Sequence, residues 1–250
     1  PLKDHVYAVS TNANRLTAFH SDEGQHDLVM EGGSLDTPND LVFISPTNML
    51  VSNWGSGEVV EVTVEGEVEG VFARGIGDPF GLLLHPASNQ LGVVSYRDDV
   101  VHFFDLEKGL GDGQLTPEDA TTVDVAYFPE FISLGQHDNE FIVSTMVGKV
   151  AQYCVPNTEC TSLSPEILIQ GGGDLRGLGR LPSKEAFLVA DWGAQVVYKC
   201  SLDLPSTASI TSSACSVFQG SPPEGGTLWD PLALLIDDEK ELVYVSYSLV

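Results

Sequence analysis

The stretch LRGLGRLPSKEAFLVADWGAQVVYKCSL, residues 175–202, contains the pattern from which the fold is predicted. It holds three short apolar segments, which begin at Leu175, Ala186 and Gln195 and are separated by Pro, Ser and Gly. Short runs rich in Val, Leu, Phe and Tyr between such turn residues are typical of β-strands. The stretch therefore predicts three consecutive strands joined by tight turns, with each neighbouring pair forming a hairpin.

The middle segment of this stretch recurs along the whole chain. Its copies end in Val-Ser or Val-Ala, as in NMLVSNW, QLGVVSY and EFIVSTM. They are anchored on six valines, spaced 42, 43, 49, 46 and 56 residues apart: Val9, Val51, Val94, Val143, Val189 and Val245. Most copies have one strand-like segment before them, often opened by Pro, and two after them. The repeating unit therefore has four predicted strands, and no segment sustains a helical period.

A four-stranded antiparallel unit repeated in this way is typical of a β-propeller, in which each unit is one blade. Six anchors predict an all-β, six-bladed β-propeller of four-stranded antiparallel blades in a single domain, 1–250. The predicted units are 1–35, 36–76, 77–127, 128–172, 173–227 and 228–250. The first unit lacks its innermost strand and the last lacks its outer two, so we expect incomplete blades within a longer chain. A five-bladed ring that leaves ELVYVSYSLV over is the alternative.

Residues 175–202, with V-A-D beginning at Val189, resemble the strand, turn and return strand of six-bladed NHL and gluconolactonase-like propellers. That superfamily includes the strictosidine-synthase and paraoxonase types, and the resemblance spans nearly all of the chain. It implies a shared architecture more than a shared function. In gluconolactonase-like and paraoxonase-like members, a divalent cation lies in the central tunnel, held by Asn, Asp and Glu at the starts of inner strands.

The resemblance places five positions at the mouth of this tunnel, each directly after the residue that opens a unit: Asn39, Phe80, Glu130, Arg176 and Leu232. Asn39 and Glu130 offer the oxygen ligands that Ca²⁺ prefers, so they are the candidate metal ligands. Phe80 and Arg176 are candidate binding residues at the same mouth. The other interpretation is that Asn39 and Asp40 form a turn while Glu130 pairs with Arg176.

Four cysteines lie on predicted hairpins of the fourth and fifth units. In each unit one cysteine is on the third strand and the other on the fourth, which favours the bridges Cys154–Cys160 and Cys200–Cys215. Disulfides indicate an oxidising, extracellular compartment. Four buried thiols in a cytosolic protein are the alternative.

The charge balance limits the classes of partner. Asp and Glu number 36 against 11 Lys and Arg, a formal net charge of −25. Such a surface repels nucleic acid and anionic lipid, so we expect no nucleic-acid partner. No apolar run approaches the roughly 18 residues that a spanning helix needs, so we expect no membrane insertion.

Two functions remain. The first is a secreted, acidic NHL-like propeller that acts as a binding, scaffold or assembly module, through a protein partner or through self-association of open blade edges. The second is a Ca²⁺-dependent, gluconolactonase- or paraoxonase-like lactonase or esterase, with Asn39 and Glu130 as ligands and His137 as general base. The motifs of nucleophilic hydrolases are absent from the sequence, which favours the first and non-enzymatic function.

Overall fold

The computed structural model describes residues 5–20, 25–111, 114–125, 127–159, 166–170, 173–181, 185–202, 208–209, 215–219, 229–237 and 242–249. The chain divides into two compact units, Pro1–Asp124 and Val125–Val250. Their boundary lies close to the predicted boundary between the third and fourth repeats. Each unit consists almost entirely of antiparallel sheets whose strands follow chain order.

The first unit contains three sheets. Blade 1 has three strands: β1 (His5–Ser10), β2 (Arg15–His20) and β3 (His26–Glu31). Blade 2 has four: β4 (Pro38–Phe43), β5 (Asn48–Asn53), β6 (Glu58–Thr63) and β7 (Val68–Arg74). Blade 3 has β8 (Pro79–His85), β9 (Gln90–Ser95), β10 (Val100–Asp105) and β11 (Thr121–Asp124), with α1 (Leu106–Gly111) and a 3₁₀ turn (Pro117–Asp119) before its last strand.

The second unit also contains three sheets. Blade 4 has β12 (Pro129–Leu134), β13 (Glu140–Thr145), β14 (Lys149–Cys154) and β15 (Glu166–Gln170), beside which the two-residue β19 (Ala208–Ser209) runs parallel. Blade 5 has β16 (Leu175–Arg180), β17 (Ala186–Asp191), β18 (Val196–Ser201) and β20 (Cys215–Gln219). The last sheet has two strands: β21 (Trp229–Asp237) and β22 (Leu242–Leu249).

The described strands form five blades, so the prediction of six is wrong. The anchor at Val245 does mark a strand, β22, but among the described strands β22 pairs with β21 alone. A two-stranded sheet lacks the third and fourth strands of a blade and is marginal by itself. Leu234 and Ile236 of this sheet pack against Leu188 and Ala190 of blade 5. The prediction that the first unit lacks its innermost strand agrees with the three strands of blade 1.

The second strand of each blade is the most buried. Every residue of β9 and of β17 is buried, and so are five of the six residues of β5 and of β13. The outer strands β3, β11 and β20 are largely exposed. A strand with a neighbouring sheet on both faces needs apolar side chains on both, which explains the continuous apolar runs at the anchors.

The core consists of seams between neighbouring blades. Met49 and Val51 of β5 pack in the seam with blade 1, whereas Leu50 between them packs in the seam with blade 3. This follows from the alternation of side chains along a strand. In the second seam Phe72 and Phe104 meet edge to face, with ring centroids 6.2 Å apart. Each blade is therefore stabilised mainly by its neighbours.

The disulfide Cys200–Cys215 joins β18 to β20, as predicted. The two residues are directly opposite in the sheet register, with Cα atoms 4.1 Å apart. Cys154 at the end of β14 is disulfide-bonded. Its predicted partner Cys160 lies outside the described residues.

None of the helices in the described ranges has the length and apolar character that crossing a bilayer requires.

Replacing both Cys200 and Cys215 by Ser should lower the free energy of unfolding by about 3 kcal/mol, because the bond closes a loop of 15 residues in the unfolded chain. Urea unfolding with and without reductant measures this. The double variant should show this loss in the absence of reductant. A urea midpoint equal to that of the wild type would contradict the prediction.

Candidate binding site at the start of the innermost strands

A β-bulge recurs at the start of each innermost strand. The register with the second strand shifts within the opening residues of five strands, between the pairs Pro38/Asp40, Pro79/Leu82, Pro129/Ile132, Arg176/Leu178 and Pro231/Leu234. A bulge bends the strand and changes the direction of the side chains beside it. Asn39, Phe80 and Glu130 lie within their bulges, whereas Arg176 directly precedes the bulge of its strand.

The residue before each bulge is held by a recurring hydrogen bond. Its carbonyl accepts the N–H of the residue that follows the second strand, in the pairs Thr37–Trp54, Asp78–Tyr96, Phe128–Met146 and Asp174–Trp192. Thr37, Asp78 and Phe128 have φ values of 54° to 56°. The left-handed conformation is unfavourable for residues other than Gly, and such residues concentrate at functional sites.

We call this end of the blades the bulge edge. In the first unit its members are Asn39, Trp54, Phe80 and Tyr96, and in the second Tyr127, Phe128, Glu130, Met146, Val147, Asp174, Arg176 and Trp192. The set is rich in Trp, Tyr, Phe, Met and Arg, the residue types that are enriched at protein interfaces.

In the first unit, two aromatic rings and one amide define the bulge edge. Phe80 and Tyr96 are in tilted contact, with ring centroids 5.8 Å apart, and Trp54 is 41% exposed. The Asn39 Oδ1 lies 3.3 Å from the Thr11 hydroxyl, which donates to it. The Asn39 Nδ2 is buried and has no hydrogen-bond partner among the described residues, so it offers a donor to a ligand.

Asp40 connects blades 2 and 3 behind this edge. Its carboxylate accepts the N–H of Leu41 and the N–H of Leu82 on β8, each at 2.8 Å. Ser52 donates to the Phe80 carbonyl at 2.6 Å and accepts the Asp40 N–H at 3.0 Å. Burial raises the pKa of Asp40 to about 7, although both backbone hydrogen bonds oppose the rise. Asn39 and Asp40 are thus part of the bulged strand β4, not a turn.

In the second unit, two carboxyl groups and one guanidinium meet beside an indole. Arg176 donates from Nε and Nη2 to Asp174 Oδ2, at 3.0 and 2.8 Å. Its Nε also lies 3.5 Å from Glu130 Oε2, so the predicted pairing of Glu130 with Arg176 is present. The guanidinium lies over the Trp192 ring, 5.0 Å from its centroid. These groups come from the starts of β12 and β16, which are neighbours.

The Glu130 side chain is 3% exposed, and this burial raises its pKa to about 8. The Arg176 guanidinium opposes the rise, whereas the Asp174 carboxylate adds to it. Burial therefore favours the protonated form of Glu130 beside the Asp174–Arg176 ion pair. A hydrogen bond between the Glu130 and Asp174 carboxyl groups adds to the rise in the pKa of Glu130.

Next to this cluster lies an exposed apolar patch. Tyr127, Phe128, Met146 and Val147 are 43 to 49% exposed. The first two precede β12 and the last two follow β13, so all lie at the same end of blade 4. The Lys149 ammonium lies 3.3 Å from the centroid of the Tyr127 ring. Large apolar residues grouped in this way mark binding surfaces.

The two predicted metal ligands belong to different units, and the predicted general base lies away from Glu130. Asn39 is in the first unit and Glu130 in the second, and their joint binding of Ca²⁺ stays a prediction. His137 is exposed in the turn between β12 and β13, at the opposite end of β12 from Glu130. The side chain of Leu232 lies outside the described residues.

Sequence reasoning did not single out Tyr127, Phe128 or Met146. The repeat contains a signal for two of them, because Phe128 stands where another unit has Asp78 and Met146 stands where other units have Trp54 and Tyr96. Without the bulge, however, nothing shows that these positions face the solvent together.

No family model matches the sequence, and no curated protein matches it significantly. Solved structures do share its fold. A nidogen/laminin complex has a TM-score of 0.73 at 12% identity, covering 97% of this chain and 85% of that one. An auxiliary nutrient binding protein from Bacteroides thetaiotaomicron has a TM-score of 0.69 at 14% identity, covering 97% and 63%. Virginiamycin B lyase from Staphylococcus aureus has a TM-score of 0.61 at 13% identity, covering 94% and 71%.

At these identities the likeness shows the fold and nothing finer. Together with the four-stranded antiparallel sheets, it establishes the chain as an all-β β-propeller.

The stability of the protein should fall as pH rises from about 4 towards 7, and Asp40→Asn should reduce that fall. The folded-state pKa of Asp40 lies above its unfolded value, so the folded protein binds the extra proton in this window and loses it near pH 7. One such group contributes a slope of at most about 1.4 kcal/mol per pH unit. Urea unfolding between pH 5 and 8 measures the slope. Asp124→Asn on the exposed strand β11 is the control, and identical slopes in wild type and Asp40→Asn would contradict the prediction.

Arg176→Met should lower the free energy of unfolding by about 3 kcal/mol at pH 7, because it leaves the Asp174 carboxylate uncompensated while its side chain is only 12% exposed. Arg97→Met is the matched control. Arg97 pairs with Asp78, the counterpart of Asp174, whose side chain is similarly buried at 14% exposed. The Arg97 side chain, however, is 70% exposed against 22% for Arg176, so water screens this pair and the cost should be below about 1 kcal/mol. Equal losses in the two variants, measured by urea unfolding, would show that burial of the cluster is unimportant.

Proposed function

We propose that this propeller is a binding module of an extracellular protein and that it docks a protein partner with a basic, partly apolar surface on the bulge edge. The observation that carries the proposal is the apolar patch Tyr127, Phe128, Met146 and Val147 beside the Glu130, Asp174 and Arg176 cluster. An apolar centre next to buried polar anchors is the usual anatomy of a protein interface.

Charge supports a basic partner. The chain carries 36 acidic residues against 11 Lys and Arg, which attracts cationic surfaces over long distances. A Lys or Arg side chain of the partner would be attracted by the net negative charge of the chain, and its stem would pack on the exposed Tyr127 and Met146.

The extracellular location rests on the cysteines. Cys200–Cys215 joins two outer strands, and Cys154 is also disulfide-bonded. Stable disulfides form in oxidising compartments such as the extracellular space. The nidogen/laminin complex and the nutrient binding protein, by their names, are propellers of the same fold that serve in binding, which supports a binding role here.

A second candidate is hydrolysis or another acid–base reaction at the same cluster. Burial raises the pKa of Glu130 to about 8. Asp174 bonds to Arg176 beside it, and two carboxyl groups held in different protonation states are typical of acid–base pairs. A virginiamycin B lyase shares the fold. The positive charge of Arg176 lies next to Glu130, however, which disfavours the tunnel Ca²⁺ on which the lactonase interpretation depends.

Site-specific photo-crosslinking tests the binding role. A photoreactive residue replaces Met146, which is 44% exposed on the bulge edge, or Phe218, which is 46% exposed on the outer strand β20. In the secretions of the native cells, we expect a protein adduct from position 146 and none from position 218. Adding Glu130→Gln with Trp192→Ala should reduce the adduct at 146 at least about fivefold, since interface anchors carry much of the binding energy.

Adducts of equal yield at both positions would contradict the proposal, because Phe218 matches Met146 in exposure and unit. Turnover of lactone or ester substrates that Glu130→Gln abolishes would favour the second candidate instead. Calorimetric titration with Ca²⁺ tests the metal-dependent form of the second candidate. If Asn39 and Glu130 bind the ion, the double variant Asn39→Ala, Glu130→Ala should show no binding heat.

A further inference from the structure

Three metal-ligating side chains meet on one face of blade 1. His5 on β1 is directly opposite His20 on β2, and Asp27 on β3 is opposite Ala18, two residues before His20. Because side chains alternate along strands and paired residues share a face, the three residues project from the same side of the sheet. Ala18, which lies on the same face, is buried in the seam with blade 2.

The distances fit a common ligand. One ligand atom from each of His5, His20 and Asp27 lies within 4.8 Å of the other two. The His20 Nε2 and Asp27 Oδ2 are 2.9 Å apart, and the His5 and His20 ring centroids are 4.1 Å apart. Around a tetrahedral zinc ion with bonds of about 2.0 to 2.2 Å, ligand atoms lie about 3.4 Å apart. To bind the ion, His20 Nε2 and Asp27 Oδ2 would move apart by about 0.5 Å, and the longest of the three separations would shorten by at most about 1.4 Å.

One nitrogen in this cluster lacks a hydrogen bond. The Nδ1 of His5 is buried, and it has no partner among the described residues. Buried polar atoms are nearly always paired, so an unpaired imidazole nitrogen beside a second imidazole and a carboxylate indicates a missing partner. A metal ion bound by the cluster would be that partner.

We propose that His5, His20 and Asp27 form a binding site for a first-row divalent transition metal, for which Zn²⁺ is the probe. Two imidazoles and one carboxylate suit Zn²⁺, Ni²⁺ or Cu²⁺, whereas Ca²⁺ and Mg²⁺ require oxygen ligands. Three protein ligands leave a fourth position open to water. The Asp27 side chain is 73% exposed, so an ion could reach the site from solvent.

The site is independent of the proposed function and lies away from the bulge edge. His5 begins β1 and His20 ends β2, while the bulge edge adjoins the opposite end of β1, where Thr11 contacts Asn39. A bound metal would connect the three strands of blade 1, the blade with fewest strands. Metal binding of this kind adds directly to the stability of the sheet that it crosslinks.

Calorimetric titration of the whole chain with Zn²⁺ at pH 7.5 tests the proposal. We expect one site in the wild type and at least about a tenfold loss of affinity in His20→Gln and in Asp27→Asn. His26→Gln is the matched control, because His26 adjoins Asp27 on β3 but lies on the opposite face. Its affinity should stay within about twofold of wild type. Ca²⁺ and Mg²⁺ should give no heat that these variants remove.

Two further measurements keep the test decisive. Thermal unfolding of each variant in EDTA checks that its fold is intact. Because the Asp27 side chain is exposed, Asp27→Asn removes a ligand without altering core packing. Co²⁺ bound to two imidazoles and a carboxylate should show visible ligand-field absorption that is lost in Asp27→Asn. No Zn²⁺ binding in the wild type, or equal affinity in wild type, His20→Gln and Asp27→Asn, would overturn the proposal.

Discussion

Burial of the second strands between neighbouring blades is the constraint on which the structure depends. In β5, Leu50 packs in one seam while Met49 and Val51 pack in the other. A blade by itself would leave one of these apolar faces in water, at a cost of about 25 cal/mol per Å². The blades therefore stabilise one another, and the two-stranded sheet β21–β22 is held in the same way by blade 5.

The bulge edge results from this packing. Since the second strand is held on both faces, the innermost strand adjusts by a shift in register at its start, where the buried Glu130 and the partly buried Arg176 come within 3.5 Å of each other. The hydrogen bond from Met146 or Trp192 back to the residue before the strand fixes the adjoining turn. Large side chains are thus displayed on a rigid support, and a binding surface benefits because little conformational entropy is lost on docking.

Two arginines of this acidic chain pair with carboxylates at matching positions of the repeat. Arg176 compensates Asp174 beside Glu130 in blade 5, and Arg97 compensates Asp78 in blade 3. The two carboxylates are similarly buried, and the difference lies in the arginines, because Arg176 is 22% and Arg97 70% exposed. At the other end of blade 1, the ligand atoms of His5, His20 and Asp27 lie close enough together for the metal site proposed above.

The sequence by itself determined the strands, their order and the bridge Cys200–Cys215, because apolar runs, turn residues and the position of a cysteine on a hairpin are local properties. It also suggested the pairing of Glu130 with Arg176, since equivalent positions of adjacent repeats meet. The blade count was wrong because an anchor marks one strand and not the partners that complete a sheet. Only the tertiary structure brought Asp174 and Trp192 together around Arg176. It also placed His5 on the same face of the sheet as Asp27. Both arrangements depend on bulges and strand register, which the sequence does not show.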